Sequence, residues 1–145
     1  MYKCVHFGIK ELVSPIVYNR FGESAWMFFD EGYLKELDLI REKRKSSIII
    51  NNWYTGGSLS QCGLRTNADQ IVKDKKGSLY VSGHVLAKGF DLHDGLGQNQ
   101  KLWTMVYDMI ARKELKYFKR LENIKSTPTW VHVDGLSTDN IVFVP

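Results

Sequence analysis

The sequence has few of the features that hold together a small secreted protein or anchor a membrane protein. Its two cysteines, Cys4 and Cys62, form neither a CxxC pair nor a zinc-finger spacing. We therefore exclude a disulfide scaffold and expect two buried thiols or bystanders. No apolar stretch approaches the roughly 18 residues that a membrane span requires, and the N-terminus lacks the basic-then-apolar pattern of a signal peptide. We expect a protein made in the cytoplasm, without a membrane span.

Proline is scarce as well, and aromatic residues are plentiful. Only 3 of the 145 residues are proline, and the glycines follow no fixed period, which excludes collagen-like and low-complexity chains. The 7 Phe, 7 Tyr and 4 Trp supply enough core material to exclude disorder as the main state. We predict one domain over residues 1–145 and expect a monomer. The net charge of +4 favours an acidic partner, such as nucleic acid, an anionic membrane surface or a bacterial cell wall.

Hydrophobic periodicity predicts an α+β domain. Apolar residues at helical spacing indicate helices at residues 23–45 (with Gly32 as a possible division), 66–73 and 99–123. Alternating or β-branched runs indicate strands at residues 46–53, 78–82, 90–93, 130–134 and 141–144. The loop GLSTDN between the last two strands is typical of a hairpin. Because helices and strands interleave, we predict a mostly antiparallel sheet flanked by helices.

Two of the predicted strands carry paired polar residues that suggest a metal site. Asp91 and His93 are two residues apart, as are His132 and Asp134, so each pair points to one face of its strand. With His84 entering from a loop edge, this face can supply three ligands to zinc and leave a fourth position for water. The alternative is that these histidines are only hydrogen-bonded or exposed, and spacing alone leaves both interpretations open.

Three motifs resemble those of a known enzyme family. The segment SGHVLAKGFD at residues 82–91 is similar to the S-x-H-x-x-G-x-A-x-D signature of the zinc D-Ala-D-Ala carboxypeptidase family, which includes phage endolysins with L-alanyl-D-glutamate peptidase activity. WVHVDG at residues 130–135 resembles the second histidine motif of this family, and GLRT at residues 63–66 resembles its Gly-Tyr-Arg-Ser/Thr lead-up. The order of the motifs and the helix between them also agree, and the resemblance covers about residues 45–135.

The resemblance implies a fold, a site and an activity. The fold would be the one that this family shares with the amino-terminal signalling domain of hedgehog proteins. The zinc ligands would be His84, Asp91 and His132. Ser82 would support the site from outside the ligand shell, and Arg65 would bind a carboxylate or carbonyl of the substrate. The activity would be zinc-dependent hydrolysis of an amide bond next to a D-amino acid in the stem peptide of peptidoglycan.

Two departures from the family pattern affect the turn and the general base. Ala87 and Gly89 stand where the family has Gly and Ala, so the same small residues are exchanged and the turn should survive. Thr129 lies three residues before His132, where many members carry Glu or Asp, and a threonine cannot act as a base. We take Asp134 as the first candidate for the general base and His93 as the second.

The sequence leaves two other classes of function open. A catalytically inactive relative that serves as a structural or wall-binding part of a phage particle would keep the fold without turnover, and Thr129 favours it. A basic nucleic-acid-binding module is the weaker alternative, because no RNP-like or helix-turn-helix pattern is present, and we expect no nucleic-acid partner. A wall hydrolase without a signal peptide would act on the cell wall after release, during phage lysis or delivery by the virion.

Overall fold

A five-stranded mixed sheet organises the molecule, which a computed structural model describes over residues 1–145. The strands are β1 (Ile48–Ile49), β2 (Gly89–Asp94), β3 (Arg120–Glu122), β4 (Val131–Asp134) and β5 (Val142–Phe143). Their order across the sheet is β1-β2-β4-β3-β5. The pairs β1–β2, β2–β4 and β3–β4 are antiparallel, whereas β3–β5 is parallel. The chain is thus a single small α+β domain, as predicted. The sheet is mixed, so the prediction of a mostly antiparallel sheet is wrong.

The predicted hairpin between the last two strands is wrong. The strand β4 already pairs with β2 on one side and β3 on the other, so neither of its edges is free for β5. The chain after Asp134 crosses to the far edge of β3 instead, where Leu121 pairs with Val142 in parallel register. A short loop favours a hairpin only when the edge next to the first strand is open.

Five α-helices and two 3-10 helices surround the sheet. The α-helices are α1 (Ile9–Leu12), α2 (Pro15–Phe21), α3 (Glu31–Arg44), α4 (Gln70–Lys73) and α5 (Asn99–Ala111), and the 3-10 helices are Gly22–Phe28 and Trp53–Thr55. The helix predicted at 23–45 begins later, because the Asp30 carboxylate caps it by accepting the backbone N–H of Gly32 at 2.7 Å. Of the predicted strands at 46–53 and 78–82, the first shrinks to two residues and the second is not formed.

The helix predicted at residues 99–123 ends at Ala111, and the strand β3 takes its last residues. Lys113 adopts a left-handed conformation with a φ of 60°, which stops the helix. The buried carboxylate of Glu36 on α3 then accepts the backbone N–H groups of Lys116, Tyr117 and Phe118. Those N–H groups are therefore bound to a distant side chain rather than to a helical carbonyl.

The alternation of side chains along β2 and β4 separates the core from the polar face. Phe90 and Leu92 on β2 and Val131 and Val133 on β4 are fully buried in the hydrophobic core. The residues between them point to the opposite face of the sheet, as strand geometry requires. None of the helices combines the length and the hydrophobicity that a bilayer-crossing segment needs.

Candidate metal centre and its cleft

Three side chains from separate parts of the chain converge on the polar face of the sheet. Asp91 on β2 lies opposite His132 on β4, and His84 enters from the turn that precedes β2. The Asp91 Oδ1 atom is 2.8 Å from His132 Nδ1 and 3.2 Å from His84 Nε2, and the two nitrogens are 3.2 Å apart. Two ligands of a tetrahedral zinc ion lie about 3.3 Å apart when each bond is about 2.05 Å. These buried side chains could therefore hold a metal ion.

Neighbouring acceptors fix which nitrogen of each histidine faces the centre. The Nδ1–H group of His84 donates to the carbonyl oxygen of Gly63 at 2.8 Å, which leaves Nε2 as the free lone pair. The Nε2–H group of His132 donates to Asp134 Oδ2 at 2.9 Å, which leaves Nδ1 directed at Asp91 and His84. A metal-binding histidine commonly donates its second N–H to a carbonyl or a carboxylate in this way. The donor set of two imidazole nitrogens and one carboxylate oxygen fits zinc.

Burial and charge act in opposite directions on the three groups. Burial lowers the pKa of His84 despite the nearby Asp91 carboxylate. Burial alone would raise the pKa of Asp91, but the two histidines outweigh it and lower that pKa. Burial alone would lower the pKa of His132, but the hydrogen bonds with Asp134 and Asp91 outweigh it and raise the pKa to about 9. His84 is thus neutral and Asp91 ionised, as a metal requires, whereas His132 retains an Nδ1 proton that a bound metal would displace.

Two arginines hold the carboxylates of the centre in place. The Nη2 atom of Arg65 donates to Asp91 Oδ2 at 2.9 Å, and its Nε atom donates to the carbonyl oxygen of Gln61 at 2.6 Å. Arg120 binds both carboxylate oxygens of Asp134, at 2.8 and 3.2 Å. Such charge-assisted bonds restrict the rotation of both carboxylates. The structure thus shows Arg65, predicted as a substrate-binding residue, orienting a candidate ligand.

The two small residues of the turn that carries His84 lie in different surroundings. Ala87 adopts a left-handed conformation with a φ of 56°, which costs a non-glycine residue roughly 1–2 kcal/mol. Gly89 packs directly on Gly83, and a Cβ at Gly89 would lie 2.8 Å from a backbone atom of Gly83. Alanine is therefore tolerated at residue 87 at some cost, while residue 89 requires glycine.

The centre opens into a cavity of about 300 Å³, and this cavity contains an acid that the sequence analysis missed. Glu122 on β3 follows Leu121, which pairs with Val133, so Glu122 lies beside His132 on the polar face. Its carboxylate makes no hydrogen bond or ion pair within the protein, and burial raises its pKa. The sequence does not reveal Glu122 as a site residue, because the helical periodicity of residues 99–123 places it at the end of a helix and not in a strand.

Three more of the predicted site residues line the same cavity. Ser82 and Arg65 line the cavity. Asp134 also lines it but is only 1% exposed, and its carboxylate is bound by His132 and Arg120. Burial alone would raise the pKa of Asp134, but those two partners outweigh burial and lower that pKa.

His93 lies outside this first cavity, in a neighbouring one. Its Nε2 atom is 3.6 Å from the Cys62 Sγ atom. Burial lowers the pKa of His93 and raises that of the Cys62 thiol to about 12. Cys4 is partly buried, and its thiol contacts the carbonyl oxygen of Leu34. Both cysteines are therefore free thiols, and neither is an activated nucleophile.

No protein-family model, no curated protein and no solved structure matches the chain.

Proposed function

We propose that the chain is a zinc-dependent peptidoglycan peptidase that hydrolyses an amide bond next to a D-amino acid in the stem peptide. The observation that carries this proposal is the buried group His84, Asp91 and His132, whose ligand atoms lie 2.8–3.2 Å from one another and line one cavity. The motif resemblance supports the choice of substrate. In this proposal the α+β domain also has the hedgehog-type fold of that family. Zinc bound at this group would polarise the scissile carbonyl and activate water.

Glu122 supplies the proton transfer in this proposal. Its carboxylate is unpaired, lies in the same cavity as the metal-binding group and has a raised pKa. A base in this position accepts a proton from the attacking water and passes it to the leaving amine. Asp134 is the first candidate for the general base from the sequence. Its carboxylate accepts hydrogen bonds from Arg120 and His132, so in this proposal it orients His132 instead.

The rest of the cavity suits an anionic peptide. The guanidinium of Arg65 lines the cavity beside Tyr80 and Ser82, and it can bind a substrate carboxylate or carbonyl. The net charge of +4 favours contact with an anionic cell wall. In this proposal the protein works as a monomer, on the wall, after release by phage lysis or with the virion.

A second candidate is a catalytically inactive relative that binds the wall as a structural phage protein. Thr129 favours it, because a threonine cannot act as a base at the position where many members of the family carry Glu or Asp. Such a protein would bind zinc and wall fragments without cleaving them. Turnover therefore separates the two candidates, whereas metal binding does not.

Digestion of purified muropeptides, followed by mass spectrometry, tests the proposal. We expect the zinc-loaded protein to release products cut at an amide next to a D-amino acid, and a chelator to abolish the reaction until zinc is restored. His84→Ala should be inactive, whereas His6→Ala should remain active, because His6 is a surface residue whose imidazole hydrogen-bonds only with Glu42. Binding of muropeptides without any cleavage would favour the inactive relative.

A further inference from the structure

A second cavity of about 290 Å³ adjoins the one that holds the metal-binding group. The two cavities share Arg65, Asp91 and Trp130, which form the wall between them. The second cavity is otherwise lined by residues that the proposed reaction does not use, among them His93, Ser58 and Ser60. A ligand that reaches the metal-binding group can therefore extend past Trp130 into a separate pocket.

The strand register gives the distance between the two cavities. Asp91 pairs with His132 and Leu92 pairs with Val131, so the next facing residues are His93 and Trp130, whose rings lie 6.4 Å apart. Two residues along a strand correspond to about 6.8 Å. An extended peptide covers the same distance with about two residues. The second cavity therefore lies two residues along from the metal-binding group.

The second cavity contains hydrogen-bond donors that have no partner in the protein. The indole N–H groups of the other three tryptophans all donate to protein oxygen atoms: Trp26 to Glu23, Trp53 to Val13 and Trp103 to Glu122. The indole of Trp130 and the hydroxyl groups of Ser58 and Ser60 make no such bond, although all three residues line the cavity. Free donors of this kind recognise carbonyl or carboxylate oxygen atoms.

We propose that the cavity formed by Ser58, Ser60, His93 and Trp130 is a second substrate subsite, which binds a carbonyl or carboxyl group about two residues from the scissile amide. This assignment rests on the proposed peptidase function for the identity of the peptide. It makes Trp130 a specificity-determining residue, because this residue lines both cavities and its indole N–H has no partner in the protein. Short substrates that stop at the metal-binding group would not reach this donor.

Titration of the zinc-loaded chain with stem peptides of increasing length tests the subsite. The probes are N-acetylated D-Ala-D-Ala, L-Lys-D-Ala-D-Ala and γ-D-Glu-L-Lys-D-Ala-D-Ala, together with an L-Ala-γ-D-Glu-L-Lys series. NMR follows the indole N–H signal of Trp130, and the same spectra report any released fragment. We expect the longer peptides to shift this signal and to bind about 10-fold more tightly than the shortest one.

The variant Trp130→Phe keeps the ring and removes the donor, so it should abolish the advantage of the longer peptides. Trp53→Phe is the matched control and should keep that advantage, since the indole of Trp53 is bound to Val13. Equal affinity for all lengths, absence of binding, or an unchanged advantage in Trp130→Phe would overturn the subsite. Length-dependent binding without hydrolysis would support the subsite and count against the peptidase. Hydrolysis without length-dependent binding would support the peptidase and overturn the subsite.

Discussion

At the scale of single residues, the metal centre depends on which nitrogen of each histidine keeps its proton. Gly63 binds one N–H of His84, and Asp134 binds one N–H of His132. These bonds direct the other ring nitrogens, Nε2 of His84 and Nδ1 of His132, toward Asp91. Asp134 therefore acts on the centre through His132, whereas the unpaired carboxylate of Glu122 faces the cavity directly. The two acids should consequently affect different measurable quantities.

Paired substitutions of these acids should separate their roles. Glu122→Gln should lower the hydrolysis rate by roughly 10²–10⁴ while zinc affinity stays unchanged, because only the base is lost. Asp134→Asn should weaken zinc binding by roughly 10–100-fold, because His132 loses its orienting carboxylate. Steady-state rates at saturating zinc and competition with a chromogenic chelator give the two quantities. If instead Asp134→Asn lost its rate with zinc fully bound and Glu122→Gln stayed active, Asp134 would be the base.

At the scale of secondary-structure elements, the buried carboxylate of Glu36 on α3 determines where α5 ends and β3 begins. It accepts three consecutive backbone N–H groups, from Lys116 to Phe118, just before the strand that carries Glu122. The periodicity of residues 99–123 favours one long helix, and this contact lies about 80 residues away in the chain. Local patterns cannot report such a contact, so periodicity extends the helix too far and places Glu122 in it instead of in a strand.

Replacement of Glu36 should therefore destabilise the whole domain. Glu36→Gln leaves an acceptor for some of the three N–H groups but removes the charge, and we expect a loss of about 1–3 kcal/mol in the free energy of unfolding. Urea unfolding followed by circular dichroism gives this value. Glu42→Gln on the same helix is the control, because the carboxylate of Glu42 is exposed and contacts only His6. Equal stability of Glu36→Gln and the wild type would contradict this account of the turn.

A second contact ties the end of α3 to the end of β2 and should depend on pH. Burial alone would raise the pKa of Asp94, but hydrogen bonds from Arg44 and from the backbone of Gln98 outweigh it and lower that pKa. The folded state then binds protons less readily than the unfolded state, whose pKa is near 3.8. The stabilisation is complete above that value and is lost as the pH falls through the lower folded pKa.

The difference in unfolding free energy between the wild type and Asp94→Asn should therefore shrink with acid. Urea unfolding at about pH 6 and about pH 3 measures it, and we expect the gap to be larger at the higher pH. Asp108→Asn serves as control, since Asp108 is exposed and its side chain binds no other residue. A gap that stays constant across this range would show that the charge of Asp94 does not contribute.

At the scale of the whole molecule, the sequence predicted the class of the fold and the set of candidate ligands better than the topology. The alternation in residues 90–93 and 130–134 placed Asp91 and His132 on one face, and their strands pair as adjacent neighbours. The parallel pairing of β5 with β3 depends on which sheet edges are already filled. That is a property of the assembled sheet, and no local pattern contains it. The second cavity likewise exists only after three distant segments have packed together.

The central claim is that one zinc ion binds at His84, Asp91 and His132, and anomalous diffraction at the zinc edge tests it most directly. Crystals grown with zinc should show one strong anomalous peak about 2.0–2.2 Å from His84 Nε2, His132 Nδ1 and an Asp91 carboxylate oxygen. The peak should be absent in His132→Ala crystals grown in the same way. A wild-type map without a peak at this position, or with zinc bound only elsewhere, would contradict the account.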